Sequence, residues 1–82
     1  MLKVLFFARI REQLGTAEIR VDELPADIDA LLDLLENEHG ALFGTVLRAD
    51  NVIVACNFDV VDRNCVLQSG DEIAFYPPVT GG

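Results

Sequence analysis

The sequence predicts an α+β fold, a mixed sheet with one main helix packed on one face. Three observations predict it. Two early segments read as strands: Leu2 to Ala8 is a nearly continuous β-rich apolar run, and Ala17 to Asp22 alternates apolar and charged residues with period two. A central segment repeats apolar residues with the period of a helix: Ile28, Leu31, Leu32 and Leu35 stand at i, i+3, i+4 and i+7, while Asp29, Asp33 and Glu36 fall on the other side. The second half returns to strand-like runs, Asn51 to Asn57 and Glu72 to Tyr76, so strands flank a single strong helix.

Each element has its own punctuation. In the first run Leu2, Val4, Phe6 and Ala8 share one face, and Leu5 and Phe7 point the other way. Glu12 to Thr16, with Gly15, supplies a turn, which makes the first two strands a hairpin. Asp27, after Pro25, is placed as the N-cap of the helix, and Gly40 ends it. His39 falls in the last turn, where a cation suits the helix dipole. Ala41 to Leu47 adds a short helical turn. Asn57-Phe58-Asp59 is a hairpin turn, Val60 and Val61 begin a short return strand, and Ser69-Gly70-Asp71 is a tight turn launching the last strand. Residues 1–76 thus form one domain and residues 77–82 an extended C-terminal tail.

Composition narrows the function. With 82 residues, 51% of them hydrophobic, the chain has one modest core and no room for a self-contained enzyme cleft. Fourteen acidic against six basic side chains give a net charge of −8, which argues against nucleic acid and anionic membranes and for an electropositive protein partner. Met1-Leu2-Lys3 runs straight into strand-like sequence and no apolar run approaches the ~20 residues of a membrane span, so the expected location is cytoplasmic. Cys56 and Cys65, with the distant His39, have neither CxxC nor metal-ligand spacing; no metal is expected, and both thiols are read as structural or incidental.

The end of the chain is the most informative segment. Pro77 and Pro78 cannot donate ladder hydrogen bonds, so they stop the strand and project Val79, Thr80, Gly81 and Gly82 as a stiff arm reaching roughly 20 Å if fully extended. The two glycines have no Cβ and can thread a narrow channel, presenting the Gly82 carboxylate to a partner. If the first and last strands are neighbours, Phe7 and Tyr76 form an exposed aromatic patch at the base of this arm, the mark of a docking surface.

Val4-Leu-Phe-Phe-Ala-Arg-Ile-Arg-Glu12 with Leu14-Gly15, the pair Asn57 and Val60, and the ending Ser69-Gly-Asp-Glu-Ile-Ala-Phe-Tyr-Pro-Pro-Val-Thr-Gly-Gly82 resemble a known family. It is the ubiquitin-like β-grasp sulfur carriers, and within them the small subunits of molybdopterin synthase. The resemblance implies a carrier whose Gly82 carboxyl is adenylated by a partner activating enzyme using ATP and converted to a thiocarboxylate. The sulfur then goes to cyclic pyranopterin monophosphate inside the synthase large subunit, two transfers making the dithiolene of molybdopterin in molybdenum cofactor biosynthesis. It also implies a heterotetramer, no bound cofactor, and catalytic acids and bases supplied by the partner. Interface positions of the family map onto Phe7, Arg11, Val60 and Tyr76, with Pro77, Pro78, Val79 and Thr80 leading to Gly81 and Gly82. Two other readings stay open: a ubiquitin-like protein modifier or a carrier of another pathway, and a plain interaction module with an inert arm.

Overall fold

In a computed structural model, which describes residues 1–78, the elements run β1 (Leu2–Phe6), α1 (Ala8–Leu14), β2 (Glu18–Val21), α2 (Ile28–His39), α3 (Ala41–Leu47), β3 (Ile53–Cys56), β4 (Asp59–Val61) and β5 (Glu72–Tyr76). The five strands form one mixed sheet in the order β2-β1-β5-β3-β4. β1 and β5 lie side by side and parallel, with Leu5 opposite Ala74 and Phe6 opposite Phe75, while the other pairings are antiparallel. The chain therefore leaves the sheet from its central strand.

Alternation sorts the sheet residues as the sequence predicts. Leu2, Val4, Phe6, Ile73 and Phe75 are buried on the face covered by α2, whose Ile28, Leu31, Leu32 and Leu35 complete the core with Phe43 and Leu47 of α3. Phe6 stacks on Phe75 at 5.9 Å and meets Phe43 edge-on at 6.0 Å. Asp27 caps α2, its carboxylate accepting from the Ala30 amide at 2.8 Å, a bond worth about 1 kcal/mol. Gly40 closes α2 at φ +110°, and the His39 ring lies over Phe43 at 5.1 Å rather than standing alone at the helix end. Arg48, following α3, bridges Asp29 and Asp33 of α2 and ties the two helices together.

One expectation is corrected. The connection between β1 and β2 is a helix, α1, not a turn over Glu12 to Thr16, and Ala8 belongs to that helix rather than to the strand face of Leu2, Val4 and Phe6. The residues Ala8 to Leu14 are good helix formers, and Ile10 gives the segment one buried anchor at 2% exposure. Gly15, at φ +74°, forms its left-handed C-cap, donating its amide to the Arg11 carbonyl at 2.9 Å. The apolar run of β1 continues through Ala8 and masks the start of this helix, and two turns are too short for a clear helical period. The strand pairing itself, Leu2 with Val21 to Leu5 with Glu18, is that of the expected antiparallel pair.

Candidate functional site

The sheet face turned away from α2 is the site. Two rows of side chains cross it, set by register: Leu5, Ala74, Ala55 and Val60 in one, and Phe7, Tyr76 and Ile53 in the other. Ala55 and Ala74 are almost fully covered although they point away from the core, because larger neighbours stand around them. Small residues in the middle and large ones at the margins make the face concave. The result is a groove of about 660 Å³ lined by Phe7, Ala8, Ile53, Ala55, Phe58, Val60, Tyr76, Pro77 and Pro78.

Phe7 and Tyr76 meet as the parallel pairing of β1 and β5 requires. Their rings lie 4.7 Å apart and 3° from parallel, and the Phe7 amide donates to the Phe75 carbonyl at 3.2 Å, fixing the backbone that carries them. Directly beyond Phe7 the chain turns sharply into α1 through Ala8 at φ +51°, so the aromatic pair sits at a corner. Of the residues named from the sequence, Phe7, Val60, Tyr76, Pro77 and Pro78 come together around this groove, and Val60 is 75% exposed. Arg11 is exposed on α1 and does not line the groove; Arg9 of the same helix lines a neighbouring one, also bounded by Pro77 and Pro78. Val79, Thr80, Gly81 and Gly82 lie outside the described residues.

Sequence reasoning missed Phe58 and Ile53. The sequence marks Phe58 only as part of a turn, and it is the most exposed large apolar residue described, at 86%. Asn57 and Phe58 are the two central residues of a tight hairpin turn with φ +51° and +75°, the pairing that a two-residue turn between right-twisted strands demands. Asparagine is at home there. A phenylalanine pays about 1–2 kcal/mol for the left-handed backbone. The turn is held by Asn57, which donates from its side chain to Asp71 at 2.9 Å, accepts from the Glu72 amide at 3.0 Å, and donates its own amide to the Glu72 carbonyl at 2.8 Å. Asp71 is also bonded by the Gln68 amide at 2.9 Å; the Asn57 amide and then this backbone donor hold its carboxyl below the usual value of 3.8.

The two thiols lie off this face. Cys56 and Cys65 are free and half-buried, both packed against the edge of the core. Burial, followed by the Asp71 carboxylate beside it, pushes the Cys56 thiol from its ordinary 9.0 up to about 11. Such a thiol is a poor nucleophile at neutral pH, because the thiolate is the reactive form. At pH 8, iodoacetamide should alkylate Cys56 on the order of a hundredfold more slowly than an ordinary cysteine, with the rate climbing toward pH 11 rather than near 8.5. Peptide mass spectrometry of a labelling time course reads this directly; labelling at the free-thiol rate would restore Cys56 as a candidate sulfur acceptor.

The fold and this exposed apolar face define a ubiquitin-like β-grasp protein. Residues 4–82 match the ThiS family, and the chain belongs to that family. It is 38% identical to the molybdopterin synthase sulfur carrier subunit of Haemophilus influenzae over 82 residues, the whole of both chains, and 38% identical to that of Escherichia coli, again over the whole of both. Among solved structures it resembles SAMP1 from Haloferax volcanii with a TM-score of 0.82 at 27% identity, covering 99% of this chain and 98% of that one. No described helix is long and apolar enough to cross a membrane.

Proposed function

We propose that this chain is the sulfur-carrier subunit of a molybdopterin synthase. The observation that carries the proposal is the stacked Phe7–Tyr76 pair at the end of the central strand, immediately before Pro77-Pro78 and the Gly-Gly terminus. The full-length likeness to relatives bearing that name supports it. A carboxylate is a poor electrophile. A partner adenylating enzyme therefore uses ATP to join the Gly82 carboxyl to AMP, releasing pyrophosphate, and a sulfur nucleophile displaces AMP to leave a thiocarboxylate. The thiocarboxylate is ionised at neutral pH; its sulfur bonds to the pyranopterin precursor within the synthase large subunit, and water then cleaves the acyl–sulfur bond, leaving the sulfur on the precursor and regenerating the Gly82 carboxylate. This chain supplies the reacting atom and the docking face, and the large subunit supplies the catalytic groups. A cytoplasmic location suits this cycle, since its activation step draws on ATP.

The docking face is tested by titration calorimetry against the large subunit of the same organism. Phe7→Ala and Tyr76→Ala should each weaken binding by about 1–3 kcal/mol, as buried interface aromatics do, while thermal unfolding changes less. Unchanged affinity for both variants would remove this face from the proposal.

A second reading has one specific observation in its favour, the likeness to a small archaeal modifier protein. A modifier shares the adenylation step and ends on a lysine instead of sulfur. Mass spectrometry after coexpression with the adenylating enzyme separates them: oxygen-to-sulfur exchange at Gly82 supports the carrier, and lysine conjugates support the modifier.

A further inference from the structure

Phe58 carries two unfavourable features at once. Its ring is 86% exposed, and its backbone is at φ +75°, where glycine or asparagine is the ordinary occupant. Nothing in the core compensates, since Phe58 touches no buried cluster and belongs to the groove on the opposite face. The turn that displays it is also unusually well fixed. Asn57 is bonded to Asp71 and to both backbone groups of Glu72, so the ring stands on a clamped turn rather than a loose loop.

Register places this turn at the other end of the groove from the tail. Ile53 faces Tyr76, and Cys56, the last residue before the turn, faces Ile73, three residues back along β5 and roughly 10 Å away. The Phe7–Tyr76 pair thus anchors the end where the arm departs, and Phe58 stands at the far end of the same continuous surface. The surroundings of Phe58 are acidic, with Asp59 adjacent and Asp71 and Glu72 beneath the turn, in a chain of net charge −8.

We propose that Phe58 is a second, distal anchor that inserts into an apolar pocket with a basic rim on the synthase large subunit, fixing the angle at which the tail enters that subunit's active site. The inference rests on the sulfur-carrier reading and deepens it. The large subunit is the occupant because Phe58 lines the same groove as Phe7 and Tyr76, the face assigned to that subunit, and its ring extends that interface away from the tail.

The test uses Phe58→Asn and Phe58→Gly, which remove the ring and relieve the left-handed backbone together. Both variants should unfold at higher urea concentration than the native chain and yet bind the purified large subunit about tenfold or more weakly by calorimetry. A merely structural phenylalanine would move stability and affinity in the same direction. Adenylation by the activating enzyme should proceed at the native rate in both. Native affinity for both variants, with Phe7→Ala still weakened, overturns the distal anchor and leaves the carrier reading standing. An equal loss in adenylation overturns the choice of the large subunit as occupant. A native chain that does not bind the large subunit at all overturns the carrier reading and this inference together.

Discussion

A chain lengthened by a single residue after Gly82 should fold normally and accept no sulfur. The added peptide bond replaces the carboxyl with an amide, which offers no oxygen to the α-phosphate of ATP, so neither acyl-adenylate nor thiocarboxylate can form at Gly82. Deleting Gly82 keeps a carboxyl but withdraws it by one residue, roughly 3.5 Å, and moves it next to the Cα of Gly81. A reacting atom displaced that far from two enclosed active sites should lose on the order of a hundredfold or more in transfer rate. Gly81→Ala should be milder, lowering turnover more than large-subunit binding, since a methyl narrows the clearance and restricts φ. Folding is spared in all three, because the last buried residue described is Phe75 and the arm follows it. Intact-mass measurement after coexpression with the adenylating enzyme shows the oxygen-to-sulfur shift or its absence. Normal sulfur loading of the extended chain would move the reacting atom off Gly82, to the added residue's own carboxyl or to a thiol, of which Cys65 would come before the suppressed Cys56.

Phe6→Ala should do the opposite, weakening the fold while leaving the reacting carboxyl in place. Phe6 is 2% exposed, stacked on Phe75 and edge-on to Phe43, so its removal opens a cavity where the sheet, α3 and the central strand meet. Losses for buried phenylalanines run to about 3–5 kcal/mol. A domain of this size has a total stability of about 4–12 kcal/mol, so the loss is a large fraction of the whole. Urea unfolding followed by circular dichroism measures it, and a loss under about 1 kcal/mol would mean the core repacks around the gap. Its neighbour Phe7 gives the contrast. One residue along the strand, the side chain points to the other face, and Phe7→Ala should keep the fold and lose the partner.

That contrast was legible in the sequence, because strand parity is a local property. Leu2, Val4 and Phe6 alternate with Leu5 and Phe7, and the helix period of Ile28 to Leu35 required a sheet face to cover. The cap at Asp27 and the stop at Gly40 were equally local, each a single residue type at a single position. The β1–β2 connection was not. Ala8 to Leu14 is helical because Ile10 finds the core and Gly15 can turn left-handed, and neither fact shows in a seven-residue segment with weak periodicity.

The sequence by itself determined where the last strand stops, since Pro77 and Pro78 cannot donate ladder hydrogen bonds whatever surrounds them. It determined, too, which residues are inside and which out along β1, β5 and α2, because those follow from periods of two and 3.6. Only the tertiary structure decided what the outward residues do together. The parallel pairing of β1 with β5 stacks Phe7 on Tyr76, the antiparallel pairing of β3 brings Ala55 beside Ala74 to hollow the groove, and the Asn57–Asp71 clamp fixes Phe58 over its far end. These contacts join residues far apart in the sequence, and no local period encodes a pairing of that kind.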